Sequence, residues 1–214
     1  GKSKMSGFYE KYLLPRCLNF LCGAKPIAKQ REKIVPMAGG TVLEIGSGSG
    51  LNFEFYDTTK IDRIIGLDPS AELSAMAQKV ADEQDLQVEF LMAYAEEIDL
   101  PNDSVDTVLI TYTLCTVIDP IKVCREALRV LKNGGRLLFC EHGLAPDEPV
   151  ALWQSRMNPI WGKIAGGCNL NRDIASLIRE SGFEIKTLEH MYLPKTPRFA
   201  GYNYWGSAVP RAIL

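Results

Sequence analysis

Val42-Leu43-Glu44-Ile45-Gly46-Ser47-Gly48-Ser49-Gly50 is the stretch on which the fold turns. A short apolar run ends in glycines at alternate positions, which reads as a buried strand over 41–45 feeding a tight turn, with a helix expected from about Leu51. Only residues without a Cβ let backbone pass close to a ligand lying across strand ends. The next apolar run, 61–67, stops at Asp68-Pro69. A carboxylate at that second strand tip can accept both hydroxyls of a ribose.

Two details select among nucleoside ligands. A dinucleotide site uses G-x-G-x-x-G, because a pyrophosphate rests on the helix N-terminus. Here the glycines are spaced G-x-G-x-G, and Glu44 stands two residues before the first of them. A carboxylate there repels a pyrophosphate and suits a ligand carrying an ammonium and a sulfonium. The expected ligand is therefore S-adenosylmethionine, leaving S-adenosylhomocysteine, and not NAD; an NAD-dependent oxidoreductase is disfavoured by the same two features.

Working outward, residues 69–84 have helical periodicity, with Ser70 placed to cap and Leu73, Met76, Ala77 and Val80 on one face. Residues 86–91 read as a third strand and 105–111 as a fourth, continuously apolar as when both faces are covered. A helix is expected over 119–131, closed by Asn133-Gly134-Gly135, then a fifth strand over 136–141. Helices over 149–165 and 171–181 and strands over 183–192 and 202–209 complete the chain. The fold expected is α/β: a doubly wound, mostly parallel seven-stranded sheet with helices on both faces. It forms a single domain over 35–214, preceded by an N-terminal helical lid over 1–34.

The chain has 214 residues, 46% hydrophobic and 23% charged, with a net charge of -2, which suits one soluble globular domain and argues against a nucleic-acid partner. Lys2, Lys4, Lys11 and Arg16 make the start the one basic patch. Cys17, Cys22, Cys115, Cys124, Cys140 and Cys168 include no CxxC pair and no tight disulfide spacing, so no metal is expected and a reducing, cytosolic setting is the reading. No run reaches the roughly 18–20 apolar residues of a membrane span.

With these motifs in hand, the chain resembles the class I, Rossmann-like S-adenosylmethionine-dependent methyltransferases over residues 35–190. Within them it is similar to bacterial phospholipid and quinone methyltransferases and to mammalian methyltransferase-like thiol methyltransferases. The general likeness rests on residues 44–50, on Gly66-Leu67-Asp68-Pro69-Ser70, on Tyr94-Ala95-Glu96-Glu97, on residues 106–117 and on residues 130–136. The narrower one rests on Leu114-Cys115-Thr116-Val117, Glu141-His142 and Gly166-Gly167-Cys168-Asn169-Leu170. The mammalian members carry an N-terminal membrane anchor, and no comparable segment is read here.

The resemblance implies that Glu44, Gly46, Ser47, Gly48 and Gly50 hold the methionine part, and that Asp68, with Pro69 and Ser70, holds the ribose. It implies Ala95 and Glu96 at the adenine, and Thr111 and Leu114 under the cofactor at the mouth. The activity implied is methyl transfer to a small apolar acceptor, a lipid amine, a thiol or a quinone-type phenol; a catalytically silent cofactor-binding regulator or scaffold is the alternative.

In-line displacement at an activated methyl asks chiefly for alignment, and a hydroxyl acceptor also asks for a base. His142 ends the fifth strand at the open edge of the sheet, and with Tyr112 it is the candidate catalytic pair. Cys115 and Cys168 are weighed as a core residue and a loop thiol, and His190 as a strand residue. Phe8-Tyr9-Glu10-Lys11-Tyr12 and a helix bearing Trp153, Met157, Ile160, Trp161 and Ile164, with Arg156 and Lys163 opposite, are expected as a lid. The same helix suits peripheral contact with a membrane and a lipid-like acceptor.

Overall fold

A computed structural model describes residues 23–212. The expected lid segment 8–12, Cys17 and Cys22 lie outside the described residues. The chain runs α1 (Lys25–Ile34), β1 (Gly40–Ile45), β2 (Ile61–Leu67), α2 (Ala71–Glu83), β3 (Val88–Leu91), β4 (Val105–Thr111), α3 (Pro120–Val130), β5 (Leu131–His142), α4 (Glu148–Ile164), α5 (Ile174–Glu180), β6 (Phe183–Tyr192) and β7 (Tyr202–Pro210). The seven strands form one sheet in the order β3-β2-β1-β4-β5-β7-β6. All neighbours are parallel except β7, which lies antiparallel between β5 and β6. Strand order reverses between β1 and β4, so a crevice opens above their C-terminal ends, where ligands of open α/β sheets bind.

The period of two along each strand divides the core. Leu43, Ile45, Val108, Ile110, Leu137 and Phe139 pack with Val123, Ala127, Ile174 and Ile178 of α3 and α5. On the other face Val42, Ile64, Leu109, Leu138 and Cys140 meet Ile34 of α1 and Ala77 and Ala81 of α2. This double cover explains why β4 is apolar without alternation. Three helix starts are closed by side chains: Ser70 Oγ accepts from Leu73 N–H at 3.2 Å, Asp119 from Lys122 N–H at 2.9 Å, and Asp173 from Ser176 N–H at 3.0 Å.

Three expectations are corrected. No helix follows the glycine turn: a single 3-10 turn, Phe53–Phe55, stands there. Asn52, Phe53 and Tyr56 are all drawn into the interior, where Asn52 and Tyr56 donate to the Glu44 carboxylate. Gly134, with φ +82°, does not close α3; the backbone is already extended from Leu131, which pairs with Val105, and the glycine turn is an irregularity inside β5. The fifth helix starts at Ile174 and not at 171, because Asp173 caps it. No helix among the described residues is long and apolar enough to cross a membrane.

Candidate active site

A cavity of about 590 Å³ lies over the tips of β1, β2, β4 and β5, with α1 and α4 contributing to its walls. At its β1 end, Gly46 donates its N–H to Leu67 O at 2.8 Å. A Cβ on Gly46 would stand 2.1 Å from Thr113 Oγ1, so the backbone passes where no side chain fits. At Gly48, with φ +53°, a Cβ would meet nothing closer than 3.9 Å, leaving space above the peptide.

Asp68 faces this turn. Its Oδ2 accepts Gly48 N–H at 3.1 Å and its Oδ1 accepts Ser70 N–H at 2.8 Å. Burial pushes its pKa upward against the pull of those two bonds. Pro69, Ser70, Ser47, Ala95 and Glu96 stand on the same wall. Glu96 Oε1 also accepts from Ile118 N–H at 3.0 Å and Asp119 N–H at 3.3 Å, which ties the segment after β3 to the start of α3.

Glu44 is 1% exposed. Its Oε1 accepts from Asn52 Nδ2 at 2.9 Å and its Oε2 from the Tyr56 hydroxyl at 2.6 Å. Burial pushes its pKa to about 7, opposed by those two donors and by nearby Arg31. Arg31, on α1, donates from Nη1 to Asn52 Oδ1 at 2.8 Å and to Thr111 Oγ1 at 2.7 Å. It is 5% exposed, and its Nε has no partner among the described residues. Sequence reasoning missed Arg31: no local pattern marks a single arginine in a helix far from the glycine turn as part of that site.

The structure gathers most of the expected residues on one wall, including Thr111 within the Arg31 network. Two stand elsewhere. Gly50 is behind the turn, its Cβ position blocked by the Phe53 ring at 2.9 Å, so it serves the fold of the loop. Leu114 is fully buried in the core and not at the mouth. Its N–H, with that of Thr113, is instead accepted by Glu141 Oε1 at 2.9 and 2.6 Å, fastening the loop after β4 to the tip of β5. Burial holds the Glu141 carboxyl well above its ordinary range.

At the far end the wall carries Tyr112, Cys115, His142, Trp161, Cys168, Leu170 and Leu193. The Tyr112 ring lies 4.9 Å from the Arg31 guanidinium. Its hydroxyl accepts from Asn203 Nδ2 at 2.6 Å and from Cys140 Sγ at 3.6 Å, and burial raises its pKa well above 10. With its oxygen held by Asn203 and Cys140 and its pKa raised by burial, Tyr112 shapes the wall and gives no base at neutral pH. His142 Nε2 lies 2.8 Å from Cys168 Sγ. His190 packs on the Tyr202 ring at 5.7 Å, away from the cavity. Trp161 turns inward against Phe199, ring centroids 5.9 Å apart, while Trp153, Ile160 and Ile164 face outward, so the apolar residues of α4 do not share one face as expected.

These residues fit the expected donor. Four buried polar atoms of wall residues, Arg31 Nε, Ser47 Oγ, Trp161 Nε1 and Asn203 Oδ1, lack partners among the described residues, and the first two belong to the glycine-turn end, where a ligand can satisfy them. A buried carboxylate and a buried guanidinium side by side match the ammonium and carboxylate of a methionine zwitterion. The Gly48 cradle is open where a ligand must approach backbone.

Comparison with known proteins agrees. The family model described as "Methyltransferase domain" matches residues 43–139. The thiol S-methyltransferase TMT1B of Rattus norvegicus is 37% identical over 170 residues, covering 75% of this chain and 69% of that protein. The TMT1B of Homo sapiens is 34% identical over 190 residues, covering 81% and 77%. A phosphatidylethanolamine N-methyltransferase of Cereibacter sphaeroides is 32% identical over 115 residues, covering 53% and 56%. An S-adenosylmethionine-dependent methyltransferase structure from Mesorhizobium loti superposes with a TM-score of 0.66 at 19% identity, over 88% and 99% of the two chains, and supports the fold. The glycine cradle, the acid at the second strand tip and this kinship together place the chain among the class I S-adenosylmethionine-dependent methyltransferases.

Proposed function

We propose that the methyl acceptor is a small apolar thiol. The observation that carries this reading is the chemistry of the far wall: two thiols, an imidazole, an indole and aliphatic groups. The carboxylates of the cavity, Glu44, Asp68 and Glu96, all belong to the donor end. Among the described residues an ammonium-bearing acceptor would find no lining carboxylate at that end, and a soft sulfur nucleophile needs none. The relatives described as thiol S-methyltransferases support the same class.

Bound S-adenosylmethionine supplies a methyl group already activated on a sulfonium. The chain's part is to bind and align. In this reading Glu44, Arg31, Ser47 and the Gly46–Gly48 backbone hold the methionine end, Asp68 with Pro69 and Ser70 the ribose, and Ala95 and Glu96 the adenine. Tyr112 and Thr111 form the floor between the two ends, and His142 lines the acceptor end. Trp161 and Leu193 exclude water from the chamber. The 1–34 segment is proposed as the lid, since its described part, α1, brings Ile27 and Arg31 to the wall.

The outer face of α4 exposes Leu152, Trp153, Ile160 and Ile164, each more than half exposed, beside Arg156 and Lys163. We propose that this face rests on a lipid surface, from which an apolar acceptor would reach the chamber.

The test is an acceptor screen with thiols, amines, phenols and lipids, read by release of S-adenosylhomocysteine. Thiols should turn over. Methylation of amines or phenols with none of thiols would overturn the reading.

A further inference from the structure

Cys115, His142 and Cys168 come from three segments: the loop after β4, the end of β5 and the loop after α4. Their donor atoms all lie within 4.8 Å of one another, and all three residues line the cavity. We infer that they bind one zinc-type divalent ion, with the fourth coordination position open to the acceptor chamber.

The donor set is the first argument. Two cysteines and one histidine are soft and borderline ligands that select zinc-like ions over magnesium or calcium. A tetrahedral ion with metal–sulfur bonds near 2.3 Å and metal–nitrogen bonds near 2.0–2.1 Å sets its ligand atoms roughly 3.5–3.8 Å apart; the cluster lies within 4.8 Å, and the His142–Cys168 pair, at 2.8 Å, has to part by roughly 0.7 Å to admit the ion. Three protein ligands and a vacant fourth place are the pattern of catalytic zinc, where structural zinc takes four.

The second argument is the frame. Asn169 donates from its backbone N–H and its Nδ2 to Cys115 O, at 2.8 and 3.0 Å, stapling the two cysteine loops together. Asn158 of α4 donates to Asn169 Oδ1 at 3.1 Å and accepts Leu170 N–H at 2.7 Å. Gly166 and Gly167, with φ +61° and +90°, make the reverse turn that delivers Cys168. Glu141 fixes the other loop just before Cys115. Ligands held by such a shell are ordered before a metal arrives, which favours binding.

The consequence rests on the thiol reading above. An acceptor R–SH entering the vacant position would lose its proton to solvent, since a coordinating thiol is deprotonated. Its sulfur would then form the new bond to the methyl carbon while the donor's sulfur–methyl bond breaks, its electron pair staying on the donor sulfur. The charges balance: thiolate plus sulfonium give two neutral thioethers, and the methylated product, a weaker ligand than thiolate, departs.

The test begins with the metal alone. The full chain, reduced, loaded with Zn²⁺ and desalted, should retain about one ion per chain by mass spectrometry. Co²⁺ in its place should give a thiolate-to-cobalt charge-transfer band with four-coordinate d–d intensity. Cys168→Ser, on a partly exposed loop, and His142→Gln should each lower retention at least tenfold while still binding S-adenosylhomocysteine. No retained metal and no charge-transfer band in the unaltered protein would overturn the inference. So would equal retention in both variants, or a Cys115–Cys168 disulfide whose reduction leaves a metal-free protein unable to take up either ion. The two readings fail separately. Metal lost from the variants without thiol turnover anywhere defeats the acceptor assignment only. Full thiol turnover by verified metal-free protein defeats the metal site only.

Discussion

Arg31, on α1, donates to the hydroxyl of Thr111, at the tip of β4, across 2.7 Å and 80 residues of chain. The bond pins α1 onto the strand-order reversal and brings a cation beside Glu44, whose carboxylate Asn52 and Tyr56 already hold. Helix α1 thereby lines the cavity beside Glu44.

Replacing Arg31 should therefore weaken donor binding. A hydrogen bond to a charged group contributes about 1.5–3 kcal/mol, so Arg31→Ala should lower affinity for S-adenosylhomocysteine roughly ten- to a hundredfold in a calorimetric titration. Lysine keeps the charge and loses the fork, and Arg31→Lys should recover only part of this. Unchanged affinity in both variants would remove Arg31 from the site.

Gly46 and Gly48 should separate folding from binding. At Gly46 a methyl group would collide with Thr113 as well as occupy a left-handed backbone. Gly46→Ala should lose about 3 kcal/mol of stability, seen as a lowered melting temperature. Gly48→Ala meets open space, so it should cost only about 1–2 kcal/mol while donor affinity falls at least tenfold. A Gly48→Ala protein that binds normally would mean the cradle is not where the ligand lies.

Glu44 gives a pH dependence with a definite sign. Burial raises its folded pKa from 4.5 to about 7, so between those values the native state holds a proton that the unfolded chain has released. This group's contribution to stability therefore falls as pH rises from about 4.5 to 7, by on the order of 3 kcal/mol in all. The difference in unfolding free energy between the protein and Glu44→Gln should trace that fall and then level. A cationic donor favours the ionised form, so donor binding should release a proton and tighten as pH rises toward 7, and Glu44→Gln should flatten the curve. A flat profile in the unaltered protein would contradict the assignment.

The exposed stripe of α4 should govern lipid contact. Fully burying one large apolar side chain contributes roughly 1.5–3 kcal/mol, so the uncharged Trp153→Ser and Ile160→Ser should each weaken co-sedimentation with anionic vesicles about tenfold. Turnover of a water-soluble thiol should stay unchanged, because neither side chain lines the cavity. Equal sedimentation of the variants and the parent would argue against docking through this face.

The order of strands and helices, the glycine turn and the carboxylates at the two strand tips were all readable in the chain, because each rests on contacts between near neighbours. Periodicity of two or 3.6, a cap three residues ahead of its amide, and a glycine where backbone must pass a ligand are local demands, and local sequence answers them. Residues 61–67 and 105–111 are bounded as strands for that reason, while the segment after Leu51 makes only a 3-10 turn, with Asn52 and Tyr56 bonded to Glu44. Only the tertiary structure brought Arg31 to Glu44 and Thr111, turned Leu114 into the core, and drew Cys115, His142 and Cys168 together. Each of those groupings joins segments tens of residues apart, where no spacing rule operates and the closing of the sheet decides who meets whom.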